Sequence, residues 1–143
     1  MDDAKKDLTT REAAAWGTFE AAVNTLARDR FGEPILPDEW SVKDVLWHIA
    51  YWWEDCADML EPLGSGGEWT ERDGDTDQTN ARVLAQGRAM TLEEVELGVA
   101  RIRERMLRAW DAAPDDPRVA EEFGAETIEH YREHLDAIRA AGT

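Results

Sequence analysis

Leu92, Val95, Val99, Ile102, Met106 and Trp110 recur at intervals of three and four residues, and no other feature constrains the fold of this chain more. That spacing puts all six on one stripe of an α-helix, because helical side chains return to the same face about every 3.6 residues. The same period appears three more times. Trp16, Phe19, Val23 and Leu26 form one stripe, Val45, Ile49, Trp52, Cys56 and Leu60 another, and Ile128, Tyr131, Leu135 and Ile138 a third. No stretch alternates at the two-residue period of a strand. Four amphipathic helices with such stripes predict an all-α fold, a four-helix bundle.

Turn and capping residues set the expected boundaries. Thr9 and Glu12 have capping-box spacing ahead of the first helix, and "FGEPILP" ends it with Gly32, Pro34 and Pro37. In "EWSVKDV", Ser41 is placed to cap the second helix, Asp44 falls at its third position, and Trp40 can staple onto Val45. "EPLGSGGEW" and "TERDGDTDQ" read as a loop, and "TNARVLAQGRAM" as a short helix. The connection over residues 62–80 is long enough to be a crossover between bundle helices. Thr91 and Glu94 repeat the capping-box pattern. Pro114 and Pro117 in "AAPDDP" break the chain again, so the last helix is expected from about Ala125 to Ala140.

The length, 143 residues, suits a single domain covering 1–143. Hydrophobic residues at 43% and charged residues at 34% give a globular balance, and no apolar run approaches bilayer-spanning length. "MDDAKKDLTT" lacks the apolar stretch of a secretory signal, so a cytoplasmic location is expected. The single cysteine, Cys56, excludes an internal disulfide and fits a reducing compartment. A formal net charge of −16 argues against nucleic acid and against anionic membranes as partners. A small-molecule substrate is the expected partner, and a homodimer is a further candidate.

Two of the three histidines stand together in "HYREH". His130 and His134, four apart, project from one side of the last helix, which lets both imidazoles reach one ion. His48 falls at the edge of the second helix's stripe, and the terminal pair falls beside the stripe of Tyr131, Leu135 and Ile138. Bundles build metal sites from facing helices at such positions. Three imidazoles with an open position suit a divalent ion, zinc or nickel, that acts on substrate. Two other readings stand beside this one. The three can be unrelated polar residues at helix edges, or the pentapeptide can be an H-x-x-E-H signature with Glu133 as base. The signature needs a further downstream ligand, and the nine residues after His134 include Asp136 but no histidine or glutamate.

Trp52, one turn beyond His48, is a candidate pocket wall as well as a core residue. Trp47, Tyr51 and Trp53 widen the apolar girth of that helix, which fits a hydrophobic cleft or a homodimer surface. Asp44 and Asp55 lie on the side of His48. Either can orient an imidazole or act as a base, although capping for Asp44 and solvent for Asp55 are the plainer roles. Cys56, two turns from His48, reads as core.

"WSVKDVLWHIAYWWED", "TNARVLAQGRAMTLEEVELGVARIRERMLRAW" and "ETIEHYREHLDAIRA" together resemble the DinB-like superfamily from Trp40 onward. That group includes the YfiT-like hydrolases and the N-terminal domains of mycothiol-dependent maleylpyruvate isomerases. The resemblance implies a bundle holding a divalent metal by His48, His130 and His134, and for some relatives the use of low-molecular-weight thiols such as mycothiol or bacillithiol. Asn80 matches the family's recurrent asparagine before the third helix, where it would cap or touch the pocket. The "WWED" doublet departs from the family pattern and implies an unusual substrate beside His48. The resulting expectation is a metal-dependent thiol S-transferase with a thiol cosubstrate. An ion that lowers the pKa of a bound thiol makes a side-chain base dispensable, and no catalytic base is identified. A metal-dependent hydrolase and a non-catalytic small-molecule binding protein are the alternatives.

Overall fold

The computed structural model describes residues 3–70 and 74–142. Six α-helices account for most of them: α1 Asp3–Val23, α2 Val42–Gly64, α3 Thr76–Arg88, α4 Leu92–Ala112, α5 Pro117–Gly124 and α6 His130–Ala141. A π-helical turn, Ala125–Glu129, joins α5 to α6. No strand occurs among the described residues, and no described helix is long and apolar enough to cross a membrane. The four expected helices are present as α1, α2, α4 and the run from α5 to α6, with α3 as the short fifth. The fold is all-α.

Several boundaries differ from expectation, each for a local reason. α1 begins at Asp3 rather than at a Thr9 cap, because the Thr9 hydroxyl donates to the Lys5 carbonyl one turn back (2.9 Å). Its supposed capping partner, Glu12, is 1% exposed and accepts a hydrogen bond from Tyr131 instead. The last helical run starts at Pro117, not Ala125. Asp116 caps it by accepting from the Arg118 N–H (2.9 Å), and proline fits the first helical position, whose N–H has no partner anyway. The 62–80 connection is also shorter than expected. α2 continues through Pro62 and closes with Gly67 N–H on the Pro62 carbonyl (2.8 Å) and Gly66 N–H on that of Leu63 (3.1 Å). Gly66 takes φ 84°, the left-handed turn this closure requires. At the far side Asp75 caps α3 through the Asp77 and Gln78 N–H groups. Residues 71–73 of the expected polar loop lie outside the described residues. The capping box of α4 is as expected: Glu94 N–H donates to Thr91 Oγ1 and Thr91 N–H to Glu94 Oε1.

The chain divides into two compact units, Met1–Val42 with Asp115–Thr143, and Lys43–Pro114. In the first, α1 packs against α5, the π turn and α6. Its centre is aromatic: Trp16 stacks on Phe19 (centroids 5.4 Å apart), and Tyr131 tilts against both at 5.2 and 6.2 Å. Val119, Phe123, Ile128 and Ile138 are buried as well.

In the second unit, Arg105 of α4 grips Glu61 of α2 through two nitrogens (2.7 and 2.9 Å) and reaches Asp58 (2.7 Å). The guanidinium holds the Glu61 carboxyl below its usual range. Val45, Ile49, Cys56 and Leu60 of the α2 stripe are buried as expected, but the inward tryptophan is Trp53, fully buried with the Arg103 guanidinium 5.3 Å from its ring, while Trp52 is half-buried. Trp47 lies against the backbones of α3 and α4, where a Cβ on Gly87 or Gly98 would come within 2.8 Å of its ring. Trp47 and Trp53 therefore pack within the chain, and their bulk does not by itself call for a second copy.

Gly87 and Gly17 give opposite predictions. A Cβ at Gly87 meets the Cβ, Cγ and Cδ1 of Trp47, the part of that side chain least able to move, whereas one at Gly17 meets nothing within 4 Å. In thermal denaturation, Gly17→Ala is expected to stabilise by about 0.5–1 kcal/mol through helix propensity. Overpacking at Gly87→Ala outweighs the same gain, giving a net loss of about 1 kcal/mol.

Candidate metal centre

His48 lies in the second turn of α2, 7% exposed, and His130, 9% exposed, opens α6 directly after the π turn. One ring nitrogen from each of His48, His130 and His134 lies within 4.8 Å of the other two. The closest pair is Nε2 of His130 and Nε2 of His134, 3.2 Å apart, with ring centroids at 5.0 Å and planes at 65°. Two nitrogens bound to one tetrahedral zinc, each at about 2.0–2.1 Å, stand about 3.3 Å apart, so this pair already has the spacing of two ligands.

The donor chemistry fits a divalent ion. Burial lowers the pKa of His134, so its imidazole is neutral at pH 7 and has a lone pair to offer. Three imidazoles can hold an ion with coordination positions to spare. The net charge of −16 adds a field that favours cations. Glu133, the base of an H-x-x-E-H reading, is exposed, as is Asp136.

Three of the four pocket candidates come together on α2 and α3. Trp52 Nε1 donates to Asn80 Oδ1 (3.0 Å), and Tyr51 meets Trp52 edge-on at 5.2 Å. Arg82, which sequence reasoning missed, joins them: its guanidinium carbon lies 5.8 Å from the centre of the Tyr51 ring, and Nη2 donates to the Tyr51 hydroxyl (3.5 Å). The available signal was its position two residues after Asn80 on a short helix. Tyr51 and Trp52 follow His48 by three and four residues, so the cluster lies about one helical turn from that imidazole.

Asp55 makes none of these contacts and is half-buried, not the solvent-facing acid of the plainer reading. Asn80 does not cap α3, since Asp75 does. Asp44, 4% exposed at the third position of α2, accepts from Arg88 (3.4 Å). Cys56 is fully buried, as expected of a core residue.

Residues 13–138 match the sequence model of the DinB superfamily. No curated protein and no solved structure matches the chain.

The His134 shift predicts a pH dependence. Its folded pKa lies below the ordinary 6.5, so between the two values the unfolded chain binds more protons, and stability falls as pH drops through that window. With divalent ions chelated, urea midpoints of the wild type are expected to decline between pH 7.5 and 5.5, and those of His134→Gln to decline less. Equal slopes would contradict the assignment.

Proposed function

Taking as given that this chain belongs to the DinB superfamily, we propose that it is a metal-dependent enzyme of small-molecule chemistry, with His48, His130 and His134 as its ligands. The observation that supports this most is the approach of three ring nitrogens within 4.8 Å. When bound there, a divalent ion such as zinc or nickel supplies a Lewis acid that lowers the pKa of a coordinated thiol or water. Low-molecular-weight-thiol S-transfer is the reaction we favour, because the ion then generates the nucleophile and no side chain need act as base.

The chain's own residues have distinct tasks in this reading. The buried histidines bind in their neutral form, which leaves the positive charge of the ion uncompensated by carboxylate and so keeps it strongly polarising. Tyr51 and Trp52 present aromatic surface about one turn from His48, suited to an apolar portion of the substrate. With its Oδ1 taken by the Trp52 indole, Asn80 has an amide N–H to offer to a carbonyl or carboxylate.

Elemental analysis of protein purified without chelator is expected to find about one divalent ion per chain. In His130→Ala that content should fall to near background. Activity screened with small electrophiles should then need added thiol. Turnover at the same rate without thiol would replace S-transfer by hydrolysis, and a metal content unchanged by the substitution would refute the site.

A further inference from the structure

The side chain that follows His130 is held from the opposite end of the sequence. Tyr131 and Glu12, both 1% exposed, share a hydrogen bond of 2.6 Å from the phenol O–H to Glu12 Oε2, across 119 positions of chain. A carboxylate that is 1% exposed is costly unless it is hydrogen-bonded, so a fold that retains one needs a reason. Packing alone does not supply it. A phenylalanine and a leucine would fill the same space without a polar atom.

The π turn offers one. Ala125–Glu129 ends where His130 begins, and a π turn holds one residue more than an α turn. Everything after it is rotated by about 100° relative to a continuous α-helix. If that extra residue were absorbed, or moved one position along the helix, His130 and His134 would face elsewhere on α6. Thr127, inside the turn and fully buried, ties its hydroxyl to the Phe123 carbonyl (2.7 Å), which holds the N-terminal side. Tyr131 stands two residues past the turn and holds the C-terminal side against α1. Because Tyr131 and His130 are adjacent, fixing the rotation of one fixes the other.

We infer that Glu12 is a positioning residue for the metal centre: through Tyr131 it locks the rotational register in which the π turn delivers His130 and His134. This rests on the metal reading above. Glu12 touches neither ion nor substrate in this account, and its effect passes entirely through the orientation of α6.

The test is zinc affinity, by competition with a chromophoric chelator, together with the visible spectrum of the cobalt(II)-loaded protein, which reports ligand geometry that a purely stabilising residue would leave unchanged. Loss of orientation by supporting groups typically weakens metal binding about 10- to 100-fold. Tyr131→Phe, which keeps the aromatic stack, is expected to weaken zinc binding by about tenfold or more and to alter the cobalt bands. Glu12→Ala should do the same, and Glu12→Gln, which retains an acceptor oxygen, should restore most of the affinity. If the single variants unfold, the double variant Glu12→Leu with Tyr131→Phe removes both members of the bond together and is measured in their place. Folded variants that bind zinc as tightly as the wild type, with an unchanged cobalt spectrum, overturn the inference while leaving the metal centre standing. A wild-type chain that binds no ion removes the metal centre itself, and this inference with it.

Discussion

Two imidazole nitrogens 3.2 Å apart must share either a proton or a cation. Both cannot carry a proton on the facing atoms, and burial disfavours the charged form of His134. A neutral pair can satisfy one contact with one N–H, but a third ring nitrogen within 4.8 Å changes the balance. Three imidazoles grouped in this way could hold a divalent ion.

Much of the fold was legible because helical periodicity and capping chemistry are local. The α4 stripe and its Thr91–Glu94 box can be read from residues a few positions apart, and the structure has both. The misread boundaries share one cause: a local motif had two meanings. Thr9 and Glu12 have capping-box spacing, yet Glu12 is committed to Tyr131 from the other end of the chain. Asp116-Pro117 looks like a break, but with an Asp cap it is equally a start. The choice between Trp52 and Trp53 as the inward residue is a rotation of about 100°, which the apolar character of both leaves undetermined.

At the site, the histidines were legible because three such residues in a short chain, two of them four apart, admit few arrangements. The cap role expected of Asn80 failed because Asp75 lies closer to the helix start and takes the free N–H groups. Arg82 was hidden because an arginine on a helix is ordinary until an aromatic ring is found beneath it. The π turn was not legible at all. Nothing in "GAETIEH" marks an extra residue in a turn, since its residues are equally content in an α-helix.

X-ray absorption at the zinc edge of the zinc-loaded chain tests the central claim most directly, because it counts imidazoles around the ion itself. Convergence of His48, His130 and His134 predicts nitrogen scatterers at about 2.0–2.1 Å and an outer-shell signal that fits three imidazole rings. A spectrum with one ring or none, its first shell made of carboxylate and water oxygens, would contradict it.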